Sequence, residues 1–205
     1  MPTFSSFTTK RIIRLVGALC VVLLFGAAQL WQSEGKLSLP NTETASLAGT
    51  EQYYTASTTR GVLALVTRTV DGDTIDAKIE SSGEVVKVRF LGMNTPESVD
   101  PRRPVQCFGK EASNRLKELI EGKKVLLIDD PKADDRDKYG RWLRNVVRVE
   151  DNLDVNATLV AQGYASAYLS FPLDAKRKAQ IRALEQEAKT NQRGLWSPST
   201  CEGKK

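Results

Sequence analysis

Five charged side chains stand at the ends of short apolar runs, where a fold would bring them together. Asp71 and Asp73 flank Gly72 in a turn, Arg89 closes an apolar run, and Glu97 follows in Asn94-Thr95-Pro96-Glu97. A charged stretch then ends in Asp137-Lys138-Tyr139-Gly140-Arg141. The chain of 205 residues contains no His. That removes Ser-His-Asp and Cys-His triads, His-ligated zinc and His general bases. Catalysis must rest on carboxylates, Lys or Arg, Tyr, hydroxyls and a hard, oxygen-bound metal. Two arginines with two or three carboxylates suit phosphodiester hydrolysis. Carboxylates hold a cation and orient water, and guanidinium groups neutralise charge on the phosphoryl and leaving oxygens.

Each residue also has a plain structural reading. Asp-Gly between apolar runs is a hairpin signal without any function. Arg89 shares its parity with Lys87 and so reads equally as an exposed strand residue. Arg141 shares the parity of Leu143, Val147 and Val149, which aims it at a buried face, where it would need an anionic partner. Thr95-Pro96-Glu97 reads as the start of a helical turn, and Lys138-Tyr139 as a surface turn.

The elements that must position these residues follow from periodicity. Val62 to Val66 reads as a strand, and Ile75, Ala77 and Ile79 alternate with polar residues as one buried strand face would. Val86, Val88 and Phe90 share the inner parity of the next strand. The spacing then changes to Ala112, Leu116, Leu119 and Ile120, one helical stripe that ends at Gly122. Val125 to Ile128 and a segment marked by Leu143, Val147 and Val149 read as further strands. Helices are expected over about 153–163 and 174–190, the second with Ile181, Leu184 and Ala188 as its stripe. Five short strands, with a helix between the third and fourth and helices after the fifth, give an α+β chain that is mainly β barrel. This is a five-stranded OB-fold barrel with about three helices.

Three ordered segments make a resemblance specific: Val70-Asp71-Gly72-Asp73-Thr74, Val88-Arg89-Phe90-Leu91-Gly92-Met93-Asn94-Thr95-Pro96-Glu97, and Asp137-Lys138-Tyr139-Gly140-Arg141. They resemble the signature segments of the staphylococcal nuclease (thermonuclease) family. Phe108-Gly109-Lys110-Glu111-Ala112, Leu159 to Ala165 and Gly194-Leu195-Trp196 extend the similarity over about 60–198. The resemblance implies a Ca²⁺-dependent phosphodiesterase of DNA and RNA that leaves 3′-phosphate ends. It implies Asp73 as the main metal ligand, Thr95 through its carbonyl, Asn94 beside them, and Asp71 close by in an outer position. Glu97 would orient or deprotonate the attacking water. Arg89 would bind the scissile phosphate, and Arg141 would stabilise the transition-state charge. Lys138 and Tyr139 would contact a terminal phosphate or the nucleotide, and Tyr168 would wall the base. One departure is visible: the family's best-known member has Asp at the position of Asn94. An amide oxygen still ligates Ca²⁺ but adds no charge, so a weaker metal site is expected. The competing reading is a non-catalytic OB-fold module that binds nucleic acid.

Composition bounds the rest. Hydrophobic residues make 40% and charged residues 27%, average for a globular chain. The net charge of +5 permits a polyanionic partner. The basic residues Lys10, Arg11 and Arg14 precede an apolar run from Leu15 to about Trp31, the pattern of a secretory signal or a retained signal anchor. Both place the remainder outside the cytoplasm, secreted or held at the outer face of the membrane, with membrane contact only through that segment. Residues 32–59 read as a flexible Ser/Thr/Ala-rich linker, 60–200 as the domain and 201–205 as a tail. Without residues 1–28 the chain keeps 27 basic against 25 acidic residues, so part of the basic excess belongs to targeting. Cys107 and Cys201 form an even pair in the exported part, where disulfides persist. Nothing requires more than a monomer.

Overall fold

The computed structural model describes residues 61–99 and 104–204. The apolar segment and linker expected before residue 60 lie outside the described residues, as does Lys205. Among the described residues are eight strands, three α-helices and a 3₁₀ turn. Strands β1 (Val62–Asp71), β2 (Thr74–Ile79), β3 (Val85–Phe90) and β4 (Met93–Asn94) precede helix α1 (Gly109–Ile120). Then come β5 (Lys124–Ile128), β6 (Trp142–Arg148), β7 (Leu153–Asp154), α2 (Val155–Ala161), β8 (Ser166–Ala167), α3 (Ala175–Thr190) and the 3₁₀ turn Gly194–Trp196.

The sheet order is β3-β2-β1-β5-β6-β7, and β3 also pairs with β6, which closes a five-stranded barrel. The closing seam is parallel, with Val88 opposite Trp142 and Arg89 opposite Leu143. The other barrel pairs are antiparallel. Two register shifts in β1, between Val66 and Arg68 and between Thr69 and Asp71, mark bulges. Bulges add the local twist that a small barrel needs. The architecture is the expected OB-fold barrel with three helices.

The interior is filled as the alternation dictates. Ala64, Val66, Ile75, Ala77, Ile79, Val86, Val88, Phe90, Val125 and Leu127 form one cluster with Leu116, Leu119 and Ile120 of α1. Ile181 and Leu184 of α3 join it from the other side. Strand β6 departs from the expectation. Its interior residue is Val146, whereas Val147 packs with Leu126 and Ile128 and Leu143 packs with Leu91 and Leu173. Both faces of β6 are covered, so apolar residues occupy both parities and alternation cannot choose between them. Val149 lies past the strand end.

Cys107 and Cys201 are joined by a disulfide with Cα atoms 6.0 Å apart, closing a loop of 94 residues. In the chain-entropy account such a loop contributes about 4–5 kcal/mol. No described helix is long and apolar enough to cross a membrane.

Candidate active site

The β1–β2 turn, the end of β3 with the strand β4 after it, and the 131–141 loop meet at one end of the barrel. They enclose a cleft of about 1110 Å³. Every sequence-expected site residue lines it: Asp71, Asp73, Arg89, Asn94, Thr95, Glu97, Lys138, Tyr139, Arg141 and Tyr168.

Arg89 is the deepest of the cations and is 5% exposed. Strand pairing places it opposite Thr74, beside the β1–β2 turn. Its guanidinium donates to the Phe90 carbonyl (2.9 Å) and to Asn94 Oδ1 (2.9 Å), and it meets Asp73 Oδ2 at 3.1 Å. Burial lowers its pKa, and the Asp73 charge opposes that shift. Arg89 is therefore an inward group with anionic support, unlike Lys87 two residues earlier, which stays largely in water.

Asp73 also accepts from the Thr95 amide (3.2 Å) and the Thr74 hydroxyl (3.0 Å). Gly72 lets this turn approach Thr95: a Cβ there would sit 2.8 Å from Thr95 Oγ1 and Cγ2. Asp71 accepts from the Gly72 amide (2.7 Å) and the Ser98 hydroxyl (2.6 Å). Burial raises the Asp71 pKa above its ordinary value; the two hydrogen bonds oppose this, and the charges of Asp73 and Glu97 add to it. Residues 95–98 are loop without regular secondary structure and start no helical turn. The Glu97 carboxylate Oε1 accepts from the amides of Ser98 (3.0 Å) and Val99 (2.9 Å), so it is fixed by its own backbone.

Arg141 is a quarter exposed and pairs with Asp137 at 2.6 Å. Its Nη1 lies 3.4 Å from Thr74 Oγ1. The anionic partner that its parity demanded is thus Asp137, and its side chain faces the cleft rather than the barrel interior. Tyr139 is the most exposed aromatic of the rim, with the Lys138 ammonium 5.0 Å and the Arg141 guanidinium 5.5 Å from its ring centre. Tyr168 meets Phe171 edge-on at 5.4 Å, and its amide donates to the Gly92 carbonyl. Sequence reasoning missed Thr74, Ser98, Gln106 and Asp137. Each is a polar residue whose partner is distant in sequence or lies across a turn, so no local spacing marks it.

Oxygen atoms gather near Asp73, the donor type that a hard cation prefers. Two buried carboxylates repel each other there, and Thr95 Oγ1 is buried with no hydrogen-bond partner. Among the described residues there, oxygen is the only ligand type on offer, which suits Ca²⁺ completed by water. The negative charge is low. Among the described residues no three Asp, Glu, Cys or His side chains converge to hold an ion. Asn94 is engaged on both sides, its Oδ1 by Arg89 and its Nδ2 by the Thr95 carbonyl at 3.1 Å. The residues fit a weakly charged site with Asp73 at its centre.

The sequence profile of the family described as Staphylococcal nuclease homologue matches residues 87–198. The SPbeta prophage-derived endonuclease YokF of Bacillus subtilis is 42% identical over 130 residues, 63% of this chain and 42% of that protein. Endonuclease YncB of the same organism is 41% identical over 132 residues, 64% of this chain and 60% of that protein. The chain therefore spans less than two thirds of the length of both. A thermonuclease of Staphylococcus intermedius is 37% identical over 137 residues, covering 67% of this chain and 77% of that protein. With the closed barrel, the cleft and these matches in hand, the chain belongs to the staphylococcal nuclease family.

Proposed function

We propose that the protein is an exported, Ca²⁺-dependent nuclease that hydrolyses phosphodiester bonds of DNA and RNA and leaves 3′-phosphate ends. The observation that carries this reading is the convergence of Arg89, Arg141 and Glu97 with the Asp71–Asp73 turn on one cleft.

The charge of the cleft bears on the cation. Among the described residues its lining holds five acidic side chains (Asp71, Asp73, Glu97, Asp134, Asp137) and five basic ones (Lys87, Arg89, Arg136, Lys138, Arg141). A balanced mouth draws a polyanion weakly. Asp73, the Thr95 carbonyl and Asn94, with Asp71 behind them, would hold Ca²⁺, which would supply net positive charge and Lewis acidity toward a phosphoryl oxygen.

The residues then divide the work. Arg89, held in place by Asp73 and Asn94, binds the scissile phosphate with the part of its fork that the protein leaves open. Glu97 orients a water molecule and accepts its proton as the water oxygen attacks phosphorus. Arg141, less buried and anchored by Asp137, stabilises charge on the phosphoryl and leaving 5′ oxygens. Lys138 and Tyr139 receive a neighbouring phosphate, and Tyr168 lies against a base. No group in this set reads base edges, which supports activity on both DNA and RNA. The Cys107–Cys201 bridge supports an oxidising compartment.

Single-stranded DNA cleavage by the full chain, with calcium titrated from micromolar to tens of millimolar and a chelator control, tests the reading. We expect chelator-sensitive cleavage. Glu97→Gln should lower kcat by about 10²–10⁴-fold while DNA binding persists. Binding without cleavage at any calcium level would replace this reading with a non-catalytic nucleic-acid-binding module.

A further inference from the structure

We propose that Gln106 is a positioning residue for Glu97, and that the Cys107–Cys201 bridge holds Gln106 in that role. The inference rests on the reading of Glu97 as the residue that handles the attacking water.

Gln106 engages both backbone groups of Glu97. The Glu97 amide donates to Gln106 Oε1 at 2.7 Å, and the Gln106 amide donates to the Glu97 carbonyl at 2.9 Å. The Glu97 carboxylate is in turn braced by the amides of the next two residues, so fixing the Glu97 backbone fixes its Oε1. Helix α1 closes the clamp. Gly109, its first residue, lies so near that a Cβ would stand 2.7 Å from the Glu97 carbonyl oxygen, and its amide donates to the Gln106 carbonyl at 3.0 Å.

What anchors Gln106 is the next residue in the chain. Cys107 is bonded to Cys201, which is 5% exposed in the C-terminal segment. That segment is itself pinned to the 3₁₀ turn: the Gly203 amide donates to the Leu195 carbonyl (2.8 Å) and the Glu202 amide to the Ser197 carbonyl (3.1 Å). Phe108 adopts φ 68° and stacks on Tyr164 with ring centres 5.3 Å apart. Residues 106–109 are therefore tied to the C-terminal segment covalently, to the residues after α2 by stacking and to α1 by continuity. Gln106 passes that rigidity to Glu97 through its side chain and its amide. A displacement of about 1 Å in a catalytic group can cost on the order of 10² in rate, so loss of this clamp should appear in turnover more than in substrate binding.

The test measures kcat and KM of the full chain on a single-stranded oligonucleotide at saturating calcium. Oxidised and reduced forms of wild type, Gln106→Ala and Gln106→Glu are compared, and circular dichroism at the assay temperature verifies folding. Gln106→Ala should lower kcat about 10–100-fold with KM within about twofold. Gln106→Glu, which keeps an Oε acceptor, should recover most of the loss. Reduction should lower kcat in wild type and add little in Gln106→Ala, because both act through the same clamp. Hydrogen exchange at the Glu97 amide should quicken in Gln106→Ala and in reduced wild type. A full kcat in Gln106→Ala, a loss confined to KM, or effects of reduction and substitution that simply multiply would each overturn the proposal. An oxidised wild type that binds the oligonucleotide without cutting it would overturn the nuclease reading and this role together.

Discussion

Asn94 links Arg89 to Thr95 within the cleft. Its amide oxygen holds Arg89 and its amide nitrogen holds the Thr95 carbonyl. An aspartate could do the first, more strongly, but not the second, because a carboxylate has no donor. The chain thus has an internally satisfied site at the cost of a ligand charge. Asn94→Asp should reverse the trade. The added charge attracts a cation, and the loss of the Thr95 bond frees that carbonyl. Calcium affinity, read by calorimetry without substrate, should rise about tenfold. An unchanged or weaker affinity would mean that Asn94 stands apart from the metal.

At the scale of elements, the helices and hairpins were legible because each buries one face. The α1 stripe of Ala112, Leu116, Leu119 and Ile120 is buried as its spacing demands. Strand β6 was legible as a strand, but not which of its parities faces the interior, because both its faces are covered. The two-residue strands β4 and β8 are too short to show a period and exist only by pairing Met93 with Ala167 and Asn94 with Ser166. The candidate site was legible as a set of residues, since turns and strand ends carry them, but its support was not. Arg177 shows why. It falls four residues before Ile181 on the apolar stripe of α3, where a charged residue looks misplaced. In the fold it is fully buried and gives two hydrogen bonds to Asp154, at 2.6 and 3.0 Å, and one to Asn145 at 3.1 Å. Asp154 caps α2 by accepting from the Ala157 amide, so the pair ties the start of α2 to α3. Arg177→Ala would strand the Asp154 carboxylate in the interior. Urea denaturation should show a loss of about 3–5 kcal/mol, and a loss under 1 kcal/mol would show that Asp154 finds other support.

Across the whole molecule, acid stability is a contest between carboxyl groups shifted in opposite directions. Asp135 and Asp151 are held below their ordinary value by hydrogen bonds from Arg144 and Arg148. Both carboxylates are about half or more exposed, so solvent screens what they contribute. The Asp137 side chain is little exposed, and its desolvation works against ionisation. Hydrogen bonds from Arg141 and from the Tyr139 amide outweigh that and bring its pKa below 3.8. A depressed carboxyl stabilises the fold above its unfolded pKa, and that contribution fades as pH falls through 3.8 toward the folded value. Asp71 has the reverse sign. Burial raises its pKa, so its charged form costs stability at neutral pH, and protonation relieves that cost as pH falls toward 3.8. With a chelator present, the urea midpoint should hold steady or rise slightly on acidification from neutrality to about pH 4, then fall below it. Asp71→Asn should raise the neutral midpoint and remove the early rise. Asp137→Asn should lower the neutral midpoint and flatten the late fall. A midpoint that falls steadily from neutrality, unchanged by Asp71→Asn, would mean that the cleft carboxylates carry no such burden in the absence of metal. The same burden would then be unavailable to favour a cation.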